Sequence, residues 1–347
     1  MGLREKKAKK APKSRKEGKD RIRECKVMEW NRVDRKEKSM ITTVTLNPAI
    51  DKTIETSRLI LGQVNRTERV KNMAGGKGIN VTKVLRQYGY PVCALGFLGG
   101  YTGRFIEEYV ESLGAESCFT GIGGETRTST NVLSEDGYVT EILEPGPVIS
   151  GEEKESFLQT YREKIRGNDF VVLSGSAPKG IDPDIYAQLI AIAKELQVPV
   201  VLDTSGELLI HGVKARPFFI KPNVKELEYL TGRKLKELQE IREEAVRLVS
   251  EGIPHVMVSM GEKGILYATE EGCLMARAPQ VKVCNTVGSG DSAVAAAVMA
   301  LAGTYSMEDT LKLCVAVSAA NTTTLENAVI PKEYAEELFN VVECREV

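Results

Sequence analysis

The chain has 347 residues, 42% of them hydrophobic and 27% charged, and a formal net charge of −1. That is ample apolar material for one large α/β domain or two small ones, and the chain reads as globular. Seven Cys with no C-x-x-C pair, and two His far apart at His211 and His255, suggest neither a zinc site nor a disulfide framework and argue against a His-activated nucleophile.

Residues 1–39 hold sixteen Lys and Arg against seven Asp and Glu, so this segment carries about +9 and the remainder about −10. It has few aliphatics and no sustained apolar period, which predicts a basic disordered extension. A tether for nucleic acid is the functional alternative; a solvated tail, or a start upstream of the one at Met40, is the expectation, and nucleic acid is not an expected partner. No apolar run approaches the roughly eighteen residues of a membrane span, and no apolar segment follows the basic start. The expectation is a soluble cytoplasmic protein with no membrane partner.

From Met40 the pattern changes. Ile41 to Leu46 is a β-branched run ended by Asn47-Pro48, with Asp51 placed just past it. Val81 to Tyr88 has helical apolar spacing and stops at Gly89, and Tyr101 to Gly114 reads as a second helix. Ile54 to Val70 is polar with a short period, while Thr128 to Leu143 alternates about Asp136-Gly137, a hairpin signal. These half-exposed strands, within about 53–70 and 118–145, predict a small antiparallel sheet covering a site.

After Gly146 strand and helix alternate. Phe170 to Ser174, Pro199 to Asp203, Phe218 to Lys221 and His255 to Ser259 are short runs suited to strands buried on both faces. Helical stretches near 152–166, 183–196, 223–230 and 236–251 separate them. The rhythm predicts a doubly wound, mostly parallel sheet over 40–347, with ligands at the carboxyl ends of its strands. Asp51, Ser174-Gly-Ser176, Asp203, Asn223, Ser259 and the turn Gly288 to Asp291 all fall there.

The stretch Asn285-Thr-Val-Gly-Ser-Gly-Asp-Ser292 precedes the small-residue run Ala293 to Ala300. Glycines before a helix N-terminus aim unpaired amides and the positive end of the helix dipole at an anion. Asp291 in the first turn is then either an acid that compensates the dipole or a base that takes a proton from whatever attacks a phosphate. A second glycine-rich entry, Ala74-Gly-Gly-Lys-Gly-Ile-Asn80, spends three glycines in four residues where simple helix entry needs none.

These two stretches together, in this order, resemble the two signatures of the PfkB carbohydrate-kinase family, in the branch that contains 1-phosphofructokinases and tagatose-6-phosphate kinases. The resemblance covers about residues 40–345 and implies a ribokinase-like α/β fold with a β lid, use of ATP and Mg2+, and transfer of a phosphoryl group to a sugar phosphate. It implies that Asp291 is the base and that Gly288 and Gly290 supply the anion-binding turn. Asp51, Gly75, Gly76, Lys77, Asn80, Arg127, Ser176 and Arg66 would meet the sugar phosphate, with Arg127 lying in the lid-like Glu125-Thr-Arg-Thr128. Lys221, Asn223, Ser259, Gly261, Gly264, Val287, Ser289 and Asn321 would meet the nucleotide. Asn223 and Glu226, in Lys221-Pro-Asn-Val-Lys-Glu226, would organise the metal, partly through water; an N-cap with a capping-box Glu has the same spacing. Ser289 stands where the family most often has Ala.

Thr45-Leu-Asn-Pro-Ala-Ile-Asp51 and Thr286-Val-Gly288 look like the 1-phosphofructokinase group, a resemblance that makes fructose 1-phosphate the first expectation for the substrate, with a 1,6-bisphosphate as product. Glu141-Ile-Leu-Glu-Pro-Gly-Pro147 looks like tagatose-6-phosphate kinases and supplies the alternative. A homodimer through the lid is a further expectation. A non-catalytic sugar-phosphate sensor with a nucleic-acid-binding tail is the reading from another class, against which a retained Asp291 counts; a nucleoside kinase is the third.

Overall fold

The computed structural model describes Gly2, residues 40–135 and residues 138–347. The expected basic extension, but for Gly2, and the turn residues Asp136-Gly137 lie outside the described residues. The described residues from Met40 onward form one compact unit.

The strands are β1 (Ile41–Thr45), β2 (Ala49–Thr56), β3 (Arg69–Gly75), β4 (Val92–Leu98), β5 (Glu116–Ser117), β6 (Thr120–Gly121), β7 (Arg127–Ser134), β8 (Val139–Leu143), β9 (Phe170–Ser174), β10 (Val200–Asp203), β11 (Phe219–Ile220), β12 (His255–Ser259), β13 (Ile265–Thr269), β14 (Gly272–Ala276) and β15 (Cys344–Glu346). The helices are α1 (Lys77–Gln87), α2 (Gly100–Ser112), α3 (Gly151–Lys164), α4 (Ile185–Glu195), α5 (Gly206–Lys214), α6 (Val224–Thr231), α7 (Leu238–Ser250), α8 (Ser289–Ala302), α9 (Met307–Asn321) and α10 (Lys332–Val341).

The main sheet runs β15-β14-β13-β12-β11-β10-β9-β1-β4-β5, with β6 also on β4. It is parallel from β12 to β5, and β13 to β15 add an antiparallel edge. Its central strands are continuous apolar or β-branched runs because helices cover both faces. Every residue of β1, β4, β9 and β10 is buried. Removing each such Val, Leu or Ile from water is worth about 1.5–3 kcal/mol. The four helices expected after Gly146 are α3, α4, α6 and α7, with ends within two residues of the expectation. The strand β4, the edge strands β13 to β15 and the helices α5, α9 and α10 were not foreseen. Much of α9 is buried, Thr310 to Val317 apart from Lys312 included, so it lacks the one-sided apolar stripe that marks a surface helix.

The second sheet, β3-β2-β7-β8, is the lid. Two antiparallel pairs, β2/β3 and β7/β8, are joined by a parallel β2/β7 pair that sets Asp51 beside Ser129. Its strands begin earlier than the sequence suggests: β2 starts at Ala49, so Asp51 is a lid-strand residue rather than part of a loop after β1. The chain bends at Leu46 and Asn47 and pairing resumes immediately after Pro48.

Candidate active site

The site lies where the carboxyl ends of β1, β9, β10 and β12 meet the N-terminal ends of α1 and α8 and the base of the lid. The helix α8 can approach α1 and α9 closely because Ala293, Ala295, Ala296, Ala297 and Ala300 have no side chain beyond Cβ, and all are fully or almost fully buried. Its entry turn depends on Gly288, which sits in the left-handed region at φ 80°. A Cβ there would come 3.1 Å from the Ala328 nitrogen.

Of the turn's amides, two are already used: Val287 donates to Asn285 Oδ1 at 2.9 Å and Ser289 to the Thr286 carbonyl at 3.3 Å. Among the described residues the amides of Gly288, Gly290 and Asp291 donate to no protein acceptor. Of these three residues Gly290 lines a cavity of about 1320 Å³, while Gly288 and Asp291 lie outside its lining. That cavity is lined by Ser289 and Gly290, by Asn223 and Ser259, by Gly261 and Gly264 of the β12–β13 turn, and by apolar Val283, Ala293, Val315 and Ala319. Asn321 is not in that lining. Buried at 1% exposure, it donates to the Val287 carbonyl at 3.0 Å and accepts from the Ala328 amide at 2.8 Å, so it braces the turn from behind. Val287 is exposed and also lies outside the lining.

Asp291 is buried at 6% exposure, and its Oδ2 accepts from Asn80 Nδ2 at 2.8 Å. Burial raises its pKa above the ordinary carboxylate value, as does Asp203, while Lys77, the Asn80 bond and Lys221 oppose the rise. Asn80, expected against the sugar, is thus held on the carboxylate expected to be the base. Lys77, also expected on the sugar's phosphate, donates to Asp203 Oδ2 at 3.0 Å. Burial alone would lower the pKa of this ammonium, but Asp203 and Asp291 hold it above the ordinary value.

Asp203 is the hub of that group. Lys221 Nζ stands 3.5 Å from its Oδ1, an ion pair longer than a hydrogen bond, which leaves that buried oxygen without a hydrogen-bond partner among the described residues. Burial pushes the Asp203 carboxyl up, and Lys221 with Lys77 pulls it back below the ordinary value. Lys221, 3% exposed, lies 3.4 Å from where a Cβ on Gly290 would stand. It therefore puts a cation beside the free amides.

Asp51 reaches the site from the lid. Burial raises its pKa, Lys83, an Asn327 hydrogen bond and Arg127 lower it, and Asn327 Nδ2 stands 3.4 Å from its Oδ2. Gly75, at the end of β3, passes directly beside it, while Gly76, the cap of α1, lies against Thr45 and Pro48. Arg127 is half-buried and donates Nε and Nη2 to the Asn47 carbonyl at 3.2 and 3.1 Å, and Nη1 to the Glu144 carbonyl at 3.1 Å. It ties the start of β7 and the end of β8 to the loop after β1. Ser176 is exposed, with Asn47 Nδ2 3.4 Å from its Oγ. Arg66 sits on the exposed connection between β2 and β3, where its carbonyl accepts from Thr56.

Asn223 and Glu226 form a reciprocal capping box at the start of α6: the Glu226 amide donates to Asn223 Oδ1 at 2.9 Å and the Asn223 amide to Glu226 Oε2 at 2.8 Å. The capping alternative is what these contacts are. The sequence reading overlooked Lys83, Glu326 and Asn327. Glu326 pairs with Lys71 of β3, and Asn327 accepts from Asn285 at 2.8 Å, so the chain after α9 joins the lid to the glycine turn. Neither residue has a local sequence signal, since each acts on partners far away in the chain. Elsewhere Cys93, Glu116 and Cys118 bring ligand-type atoms within 4.8 Å of one another; Lys164 donates to Glu116 there at 2.6 Å. Among the described residues no helix is long and apolar enough to cross a membrane. His255 is packed against Tyr267, its Nδ1 2.7 Å from the hydroxyl, which fits a structural role.

The family model for pfkB carbohydrate kinases matches residues 44–331. A tagatose-6-phosphate kinase of Staphylococcus epidermidis is 37% identical over 313 residues, covering 89% of this chain and 100% of the relative. Phosphofructokinase-2 from Escherichia coli, solved with fructose-6-phosphate, superposes with a TM-score of 0.81 at 28% identity, over 87% of this chain and 98% of that one. A Thermotoga maritima structure described as a possible 1-phosphofructokinase gives a TM-score of 0.81 at 28% identity, over 89% and 99%. With this fold ribokinase-like and both signatures in place, the chain belongs to the pfkB family of carbohydrate kinases and is a sugar-phosphate kinase, one that transfers phosphate to a hydroxyl.

Proposed function

We propose that the chain transfers the γ-phosphoryl group of ATP to the free terminal hydroxyl of a ketohexose monophosphate, giving a 1,6-bisphosphate. The observation that carries this reading is Asp291, buried in the first turn of α8 directly behind the unengaged amides of Gly288 and Gly290. The carboxylate takes the hydroxyl proton as the sugar oxygen bonds to phosphorus and the bond from phosphorus to the β,γ-bridging oxygen breaks, releasing ADP. The two glycine amides and Lys221 sit where the transferred group gains charge. Asp51 accepts hydrogen bonds from sugar hydroxyls under the lid, and Arg127 faces the phosphate already present.

The cavity fits a nucleotide: apolar Val283, Val315 and Ala319 suit a base, and the free amides suit the phosphates. Magnesium fits the remaining capacity of the α6 cap. Each of the two capping oxygens spends one lone pair on an amide, and the second carboxylate oxygen of Glu226 has no partner among the described residues. Asn223 and Glu226 would hold it, directly or through water, and when bound it neutralises phosphate charge.

Between substrates, the tagatose-6-phosphate kinase relative, at 37% identity along its whole length, supports tagatose 6-phosphate. Fructose 1-phosphate is the second reading, supported by the Thr45 to Asp51 stretch and by the Thermotoga maritima neighbour at 28%. An ADP-release assay over tagatose 6-phosphate, fructose 1-phosphate, fructose 6-phosphate, free fructose and adenosine decides. Turnover with adenosine or free fructose alone would defeat the proposal. Exposed Val64, Val139, Ile142 and Leu143 of the lid support pairing with a second copy through that sheet; sedimentation that gives a monomer at micromolar concentration would remove it.

A further inference from the structure

One ionisable group sealed into the site has no role in the reading above. Lys83, on α1, is 2% exposed, and lysine tolerates such burial only when paired. Its Nζ donates to Asn80 Oδ1 at 3.3 Å and stands 5.3 Å from the centroid of the Tyr109 ring. Asn80 in turn gives its Nδ2 to Asp291. An ammonium can only donate, so its bond to Asn80 leaves the amide one orientation, with the NH2 end toward Asp291.

The charges of the site divide in the same way. Lys77 and Lys221 both pair with Asp203. Half-buried Asp51 and buried Asp291 have no salt bridge among the described residues. The charged groups acting on Lys83 from the surrounding elements are Asp51 of β2, Asp291 of α8, Glu326 after α9 and Lys71 of β3.

We propose that Lys83 is a positioning residue for phosphoryl transfer: through Asn80 it holds the Asp291 carboxylate in the orientation that accepts the sugar proton, and its charge keeps Asp51 and Asp291 ionised together. This rests on Asp291 being the base. Burial lowers the Lys83 ammonium to about 8, against the pull of Asp51, Asp291 and Glu326. Deprotonation would then free the Asn80 amide to turn and would remove the shared cation just above neutral pH.

The test is the pH profile of kcat for wild type, Lys83→Arg and Lys83→Met, with KM for ATP followed in parallel. Wild type loses kcat near pH 8. Lys83→Arg, which stays charged throughout, keeps activity at neutral pH and lacks that alkaline decline. Lys83→Met loses kcat by about 10- to 100-fold, with KM for ATP unchanged. An alkaline decline in Lys83→Arg identical to that of wild type overturns the proposal, as does wild-type kcat in Lys83→Met. If Lys83→Met does not fold, the Lys83→Arg profile decides alone. Asp291→Asn assayed beside them separates the two readings: normal turnover there defeats the base assignment, whereas an inactive Asp291→Asn with a normal Lys83→Met defeats only the role of Lys83.

Discussion

Gly75 and Asp51 share the floor of the lid so closely that a Cβ built on Gly75 would stand 2.2 Å from Asp51 Cγ. The glycine is there to leave room for the carboxylate. Gly75→Ala therefore displaces Asp51 or opens the β2/β3 pair, and should lower kcat/KM for the sugar phosphate by about 10²-fold. KM for ATP should hold, because the cavity proposed for the nucleotide is lined by no residue of the lid. Equal losses for both substrates would mean that Asp51 is not a sugar ligand.

Asp291→Asn keeps shape and removes the proton acceptor. It should cut kcat by about 10²- to 10⁴-fold while leaving the thermal midpoint and nucleotide binding close to wild type. Because burial raises this carboxyl, the base is lost to protonation at a higher pH than an ordinary Asp, whose value is 3.8. The acid side of the kcat profile should accordingly lie above the ordinary carboxylate range. A folded, fully active Asp291→Asn would end the mechanism.

Removing the hub of the ion pairs should be felt in stability. Asp203→Ala leaves Lys221 buried and uncompensated, a loss of about 3–5 kcal/mol for breaking a buried pair. The share from Lys77 is smaller, since its side chain is 38% exposed. Folding holds the Asp203 pKa below its ordinary value, so its contribution is complete above the ordinary carboxylate range and disappears as pH falls through the folded value. Urea titrations of wild type and variant at pH 7 should differ by this amount and converge on acidification; a constant difference down to low pH would contradict it.

Arg127→Ala should raise KM for the sugar phosphate by about tenfold or more, with KM for ATP unchanged, since a bond equally strong in ground and transition states acts on KM. The guanidinium also anchors the lid through the Asn47 and Glu144 carbonyls. Some loss of thermal stability accompanies the kinetic effect. A change confined to ATP would show that Arg127 faces the wrong substrate.

The sequence by itself determined the alternation of strands and helices after Gly146 and the two glycine-rich entries, because both are written in neighbouring residues. Strand burial, helical period and the freedom of glycine to take φ 80° at position 288 are local properties. So is the capping box of Asn223 and Glu226, whose spacing alone left it level with a metal-binding reading. What only tertiary structure decided is which charges meet. Lys77 pairs with Asp203 126 positions away, Asn80 with Asp291 across 211, and Asp51 with Asn327 across 276. Such pairs form because low-exposure carboxylates and ammonium groups must find partners wherever packing places them, and packing depends on sheet order and on α8 settling against α1 and α9. Lys83 shows this most clearly: within the buried run Gly78 to Leu85 its helical position says nothing, and only the folded chain puts it beside Asn80.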